Sequence, residues 1–145
     1  MFFKALLLAL VPAVFAVDHA ITIGLNNTLT FTPDTVIADI GDTLTFTVVA
    51  RNHSTTTTHF SSDEGQICPP PPGGVGENGW DSGFLSDLDG SMPQFVYTVV
   101  DTAPHFAACM QAAGAHCRAG MTFALNPTED MTYDQFKANA MASPA

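Results

Sequence analysis

From residue 19 onward, apolar and polar positions alternate in short runs, and few runs show helical spacing. HAITIGL (residues 19–25) alternates and predicts a first strand, and LNNTLTF turns into a second, shorter one. In TVIADIGDTLTFTVV, Gly41-Asp42 signals a turn, after which Leu44, Phe46 and Val48 share one face and Thr43, Thr45 and Thr47 the other. That is the pattern of a strand with one buried side. TTTTHF (55–60) is β-branched and reads as a strand or a sheet edge. MPQFVYTVV predicts a strand through Phe95, Tyr97 and Val99, and MTFALN a last one with Met121, Phe123 and Leu125 on one face. Many short strands punctuated by turn residues indicate an all-β antiparallel sandwich or barrel.

Two segments depart from this rhythm. Ser61–Gly79 holds four prolines and five glycines, which no regular element accommodates, so it reads as a long loop whose order comes from a tether on Cys68. MTYDQFKANAM (131–141) opens with Thr132 and has Gln135 three residues later, a capping box. A short helix through Phe136 and Ala140 follows, expected to be peripheral.

The first sixteen residues, MFFKALLLALVPAVFA, combine a lysine, an apolar run and a small residue at position 16, which is a signal-peptide pattern. The run is too short for a transmembrane helix, and no second one follows. The C-terminus lacks the apolar tail of a lipid-anchor signal. The expectation is therefore a signal peptide at 1–16, one domain at 17–127, a helical tail at 128–145, and a secreted, extracellular protein. Without Lys4, only Arg51, Arg118 and Lys137 stand against fourteen acids, a balance that excludes nucleic acid and anionic lipid as partners.

Three cysteines are an odd number for an oxidising compartment. One disulfide leaves one thiol to be oxidised, paired with another chain or protected by a metal. CMQAAGAHCRAGM (109–121) carries two of the three, and admits two readings: a disulfide corner packed with small residues, or a soft-metal site built from Cys, His and Met. Upstream, RNHSTTTTHF places His53 at the end of the Leu44 strand and His59 further on. A thiolate, two imidazoles and a weak thioether suit copper, and trigonal His₂Cys with a long axial Met is the blue-copper arrangement. No carboxylate joins the cluster, which argues against calcium, magnesium or manganese.

GDTLTFTVVARNHS, followed far downstream by C…HC…GM, resembles the cupredoxins, and most of all the fungal secreted cupredoxin-like proteins related to plant phytocyanins. The resemblance covers the chain from the first strand to about Asn126, including WDSGF (80–84) after the long loop. It implies a cupredoxin-like Greek-key sandwich or barrel holding one copper ion, Cu(I) or Cu(II), with His53, Cys109, His116 and Met121 as ligands. It further implies that Asn52 ties the ligand loops together by hydrogen bonds, and that Cys117 pairs with Cys68. Such a disulfide closes a loop of about fifty residues and stabilises by roughly 4 kcal/mol in the chain-entropy model. The implied function is one-electron transfer by a monomer, not an enzyme, with a redox protein or a small-molecule reductant or oxidant as partner. His116, flanked by Ala112, Ala113 and Ala115, is the expected exposed exit ligand.

Two features depart from the resemblance. Six residues, MQAAGA, separate Cys109 from His116, a longer spacing than the family's, and Ala107 and Ala108 precede the cysteine where aromatic residues are common. Both predict a copper more open to solvent or more displaced. The same features keep a second reading alive, a cell-wall or surface glycoprotein that uses the fold for structure or copper sequestration.

Other candidates are smaller. Asn26, in NNT, is the expected glycosylation acceptor, because a glycan on Asn52 of NHS would crowd the metal. Cleavage after Ala16 would leave Val17-Asp18-His19 at the amino terminus, a square-planar set for Cu(II). For His59 and His105, packing is the default.

Overall fold

The computed structural model describes residues 15–145. The expected signal peptide therefore lies outside the described residues, apart from its last two positions. The strands are β1 (Asp18–Ile23), β2 (Phe31–Thr32), β3 (Thr35–Val36), β4 (Thr43–Val48), β5 (Asn52–His53), β6 (Thr56–Thr57), β7 (Leu85–Ser86), β8 (Gln94–Thr98), β9 (His105–Ala108) and β10 (Thr122–Leu125). A one-turn helix, α1 (Ala115–Arg118), lies between β9 and β10, and α2 (Tyr133–Met141) closes the chain.

Two four-stranded sheets form, in the orders β2-β1-β4-β8 and β3-β10-β9-β6, beside a ribbon of β5 and β7. β1 runs parallel to β4 over six pairs, from Asp18↔Thr43 to Ile23↔Val48. In β4 the expected alternation holds: Leu44, Phe46 and Val48 are fully buried, and the threonines between them are half-buried on the other face. These residues, with Ile21 and Ile23 of β1, meet Phe123 and Leu125 of the second sheet, and Met121 just before it, in one core. Phe46 and Phe123 meet edge to face with centroids 5.2 Å apart, a favoured aromatic geometry. The expected all-β sandwich with a short C-terminal helix is the observed architecture, with parallel pairs (β1 with β4, β3 with β10) among the antiparallel ones.

The second sheet is covered on its outer side as well, and here the structure corrects the sequence reading. α2 starts at the expected capping box, with the Thr132 hydroxyl accepting from the Gln135 amide and the Gln135 side chain accepting from the Thr132 amide. It is not peripheral. Phe136 and Ala140 are fully buried against Phe106, Ala108, Ala124 and the two disulfide cysteines. Burying one phenylalanine side chain contributes on the order of 2 kcal/mol. All four residues of β9 and of β10 are consequently buried.

No strand forms between β6 and β7, as expected for the Pro/Gly-rich stretch. Its order has two sources. Cys68 is bonded to Cys117, with Cα atoms 5.7 Å apart. Inside the fold, the Thr57 hydroxyl accepts from the amides of Val75 and Trp80, at 3.0 and 3.1 Å. Trp80 then packs on Tyr97 and donates its indole N–H to Thr55.

Candidate metal centre

Three segments converge at one end of the sandwich. His53 is the last residue of β5, held opposite Leu85 of β7. Cys109 directly follows β9, and Met121 directly precedes β10. The loop between them is closed at its base by two backbone bonds: the Cys109 amide donates to Met121 at 3.2 Å, and the Met121 amide to His116 at 3.0 Å.

The MQAAGA segment coils instead of opening. Ala112, Ala113 and Gly114 all have positive φ, of 55°, 50° and 84°, making a left-handed turn that delivers His116 into α1. Left-handed backbone costs a non-glycine residue about 1 kcal/mol or more. What holds the turn is external to it. Arg118 donates to the Ala113 carbonyl at 3.1 Å, and Gly114 presses so closely on Pro69 that a Cβ would sit 2.7 Å from the Pro69 nitrogen. Replacing Ala113 by glycine should therefore stabilise the protein by about 1 kcal/mol in chemical denaturation. A loss of stability would mean the alanine is not strained.

The donor atoms of His53, Cys109 and His116 lie within 4.8 Å of one another. His116 Nδ1 is 3.6 Å and His53 Nδ1 3.8 Å from Cys109 Sγ, so both imidazoles present the same nitrogen to the sulfur. Cys109, His53 and Met121 are each fully buried, and His116 is half-buried. Of the four, only His116 keeps part of its surface exposed. No carboxylate belongs to the cluster. A thiol, two imidazoles with their Nδ1 atoms turned inward, and a thioether beside them form a set that fits copper.

No protein-family model and no curated protein matches the chain. Solved structures do. The oxidised plastocyanin of Dryopteris crassirhizoma matches with a TM-score of 0.50 at 19% identity, over 74% of this chain and 97% of that one. Pseudoazurin from Methylobacterium extorquens AM1 matches with a TM-score of 0.51 at 14% identity, over 88% of this chain and 85% of that one. A Cu-containing nitrite reductase from Thermus scotoductus SA-01 gives 0.50 at 11% identity, with 83% of this chain on 24% of that one. The chain has the cupredoxin fold.

Burial sets the electrostatics at this end of the cupredoxin fold. It pushes the Cys109 thiol upward, against the pull of the Ser54 and Gln111 amides and the Ser54 hydroxyl. Without a cation the group therefore stays a thiol, and binding a metal must release its proton. Burial also lowers His53, helped by His116 and Arg51, from an ordinary 6.5 to about 4. His116 is lowered too, by burial and then by Arg51. Both imidazoles are neutral at pH 7, the form that ligates. For the metal-free protein the sign follows: the unfolded chain takes protons below pH 6.5 that folded His53 refuses, so unfolding gains. Stability should be full above 6.5 and fall between 6.5 and 4, with the slope reduced in His53→Gln. An unchanged melting temperature across that window would contradict the depressed value.

Two residues missed by the sequence reading support the ligands within the cupredoxin fold. Ser54 donates its amide to Cys109 Sγ at 3.4 Å, and its hydroxyl accepts from the Met110 amide at 2.9 Å, joining the His53 and Cys109 segments. Gly24, at φ 82°, packs behind His53, where a Cβ would lie 3.2 Å from the buried Nε2. Only the close approach of residues far apart in the chain reveals either role. Asn52 reaches the insert through its side-chain amide, 3.5 Å from Gln111 Oε1.

The remaining candidates fall elsewhere. Val17, Asp18 and His19 are not drawn into a chelate: Asp18 and His19 are extended in β1, while the Val17 amide and the His19 ring both bind Asp42, at 2.8 and 3.0 Å. Asn26 is exposed in the 3₁₀ turn Leu25–Asn27. His105 pairs with Asp101 at 2.9 Å and packs beside Trp80. His59 lies over Gly65, too close to allow a side chain there.

Proposed function

We propose that this protein is a secreted mononuclear copper carrier that passes one electron at a time, with His53, Cys109, His116 and Met121 as ligands in a type 1 arrangement. The observation that carries the proposal is the pair of Nδ1 atoms at 3.6 and 3.8 Å from one fully buried cysteine sulfur. Bound copper would supply the couple between Cu(I) and Cu(II).

The chain's own residues supply the rest. Cys109 gives up its proton to become the thiolate donor, and His53 and His116 offer neutral nitrogens. The donors are held from behind by the two bonds at the base of the loop, by Ser54, by the Gly114–Pro69 contact and by the disulfide beside His116. Donors fixed in this way move little when the charge of the site changes, which favours rapid one-electron exchange. His116, the proposed ligand that reaches the surface, is the contact for a redox protein or a small-molecule reductant or oxidant. Four protein donors leave no position for a substrate, which supports a carrier and not an enzyme.

Several finer readings belong to the same proposal. The leader at 1–16 would direct export, and exposed Asn26 would carry the glycan. The kinship would lie with the fungal proteins related to phytocyanins. Val17-Asp18-His19 would bind a second Cu(II) only after leaving Asp42.

Titration with Cu(II) followed by voltammetry tests the function. One equivalent bound, with reversible one-electron reduction, is expected. Tight binding without reversible reduction would replace electron transfer by sequestration.

A further inference from the structure

A cavity of about 590 Å³ opens behind the ligand loop, between the long Pro/Gly-rich loop, α1 and the residues after α2. That size falls in the range of small-molecule sites. Ile67, Pro69, Ala142 and Pro144 give it apolar stretches of wall between the polar Ser62, Gln66, Asn139 and Ser143, and the ligand loop contributes Ala113 and Arg118. The cavity lies outside the proposed copper ligands, none of which lines it.

Arg118 is the only charged side chain in this lining, which Ala145 also joins without forming an ion pair to it. The chain carries fourteen acids, yet among the described residues Arg118 forms no ion pair with any of them. One of its terminal nitrogens is engaged by the Ala113 carbonyl, which leaves other N–H donors of the guanidinium free. A guanidinium in the wall of a partly apolar cleft matches a carboxylate, whose two oxygens accept in parallel from its fork. The apolar walls add area for a hydrocarbon body, which inorganic anions lack.

We propose that this cleft binds a small organic carboxylate, its head on Arg118 and its apolar body between Ile67, Pro69, Ala142 and Pro144. The residues that would hold it bracket His116, with Ala113 on one side and Arg118 on the other. The disulfide from Cys117 to Cys68 lies in the same wall. The binding does not depend on copper.

Octanoate, octanol and octylammonium, titrated separately into the purified protein and followed by nuclear magnetic resonance, test this. Octanoate should shift the Ile67 methyl and Arg118 Nε–H signals and bind about tenfold more tightly than octanol, as a charge-assisted hydrogen bond requires. Octylammonium should bind more weakly than either. Arg118→Gln should remove the preference for octanoate over octanol. Because Arg118 also holds the insert, Ala142→Trp provides a second variant, filling the cleft from α2's end while leaving the guanidinium in place. It should abolish binding without changing the far-ultraviolet circular dichroism. Equal affinity for octanoate and octanol, signals shifting elsewhere only, or octanoate binding undiminished in Ala142→Trp would overturn the proposal.

Discussion

Replacing Cys109 by serine abolishes the intense thiolate-to-copper absorption and weakens copper binding by at least about 100-fold. Loss of an outer residue that merely orients a ligand costs roughly 10- to 100-fold in metal affinity, and Cys109 is itself a proposed ligand. A serine hydroxyl does not ionise at neutral pH, so the site would keep two neutral imidazoles and a weak thioether with no anionic donor. The fold should survive. The serine is smaller than the cysteine it replaces, and the Ser54 amide, now 3.4 Å from Sγ, can donate to the new oxygen. Circular dichroism unchanged, colour lost and affinity reduced is the expected combination. Colour persisting in the variant would assign the thiolate elsewhere, and the only other cysteines are joined to each other.

Removing the disulfide has the largest expected effect on stability. Cys68 and Cys117 are 49 residues apart in sequence, so their bond removes a large share of the unfolded chain's freedom, about 4 kcal/mol in the loop-closure model. For a domain of this size that corresponds to a melting temperature lower by on the order of 10–15 °C in a Cys68→Ala/Cys117→Ala variant. Two buried sulfurs also leave the core under α2, so the estimate is not reduced by relief elsewhere. Cys117 follows His116 directly, so the same variant should also loosen the ligand loop and broaden the spectrum of the bound metal. A loss below about 1 kcal/mol in denaturant unfolding would show that the Gly114–Pro69 contact and α2 hold this region without the bridge.

How much of this was readable in the chain depends on the number of buried faces. Leu44, Phe46 and Val48 were legible because β4 buries one side only, and alternation records that directly. β9 was not read as a strand, because HFAA is buried on both sides and shows no alternation. The capping box announced α2, whereas its burial rests on Phe136 and Ala140 meeting a sheet face thirty residues away in sequence, at Phe106. At the site, Cys109, His116 and Met121 were visible as one short cluster, but the choice of His53 over His59 came from a resemblance. The structure places His53, not His59, beside the sulfur. Alanine gives no signal of left-handed backbone, so MQAAGA was legible only as a long spacing and not as the turn that Arg118 and Pro69 hold. Ser54 and Gly24 act across long separations and left no local trace.

His53, Cys109 and His116 are expected to hold one copper ion between them. X-ray absorption at the copper edge of the protein loaded with one equivalent tests it most directly. One short sulfur scatterer and two imidazole nitrogens are expected as nearest neighbours of the copper, with the sulfur absent in Cys109→Ser. A first shell of nitrogen and oxygen alone would contradict it.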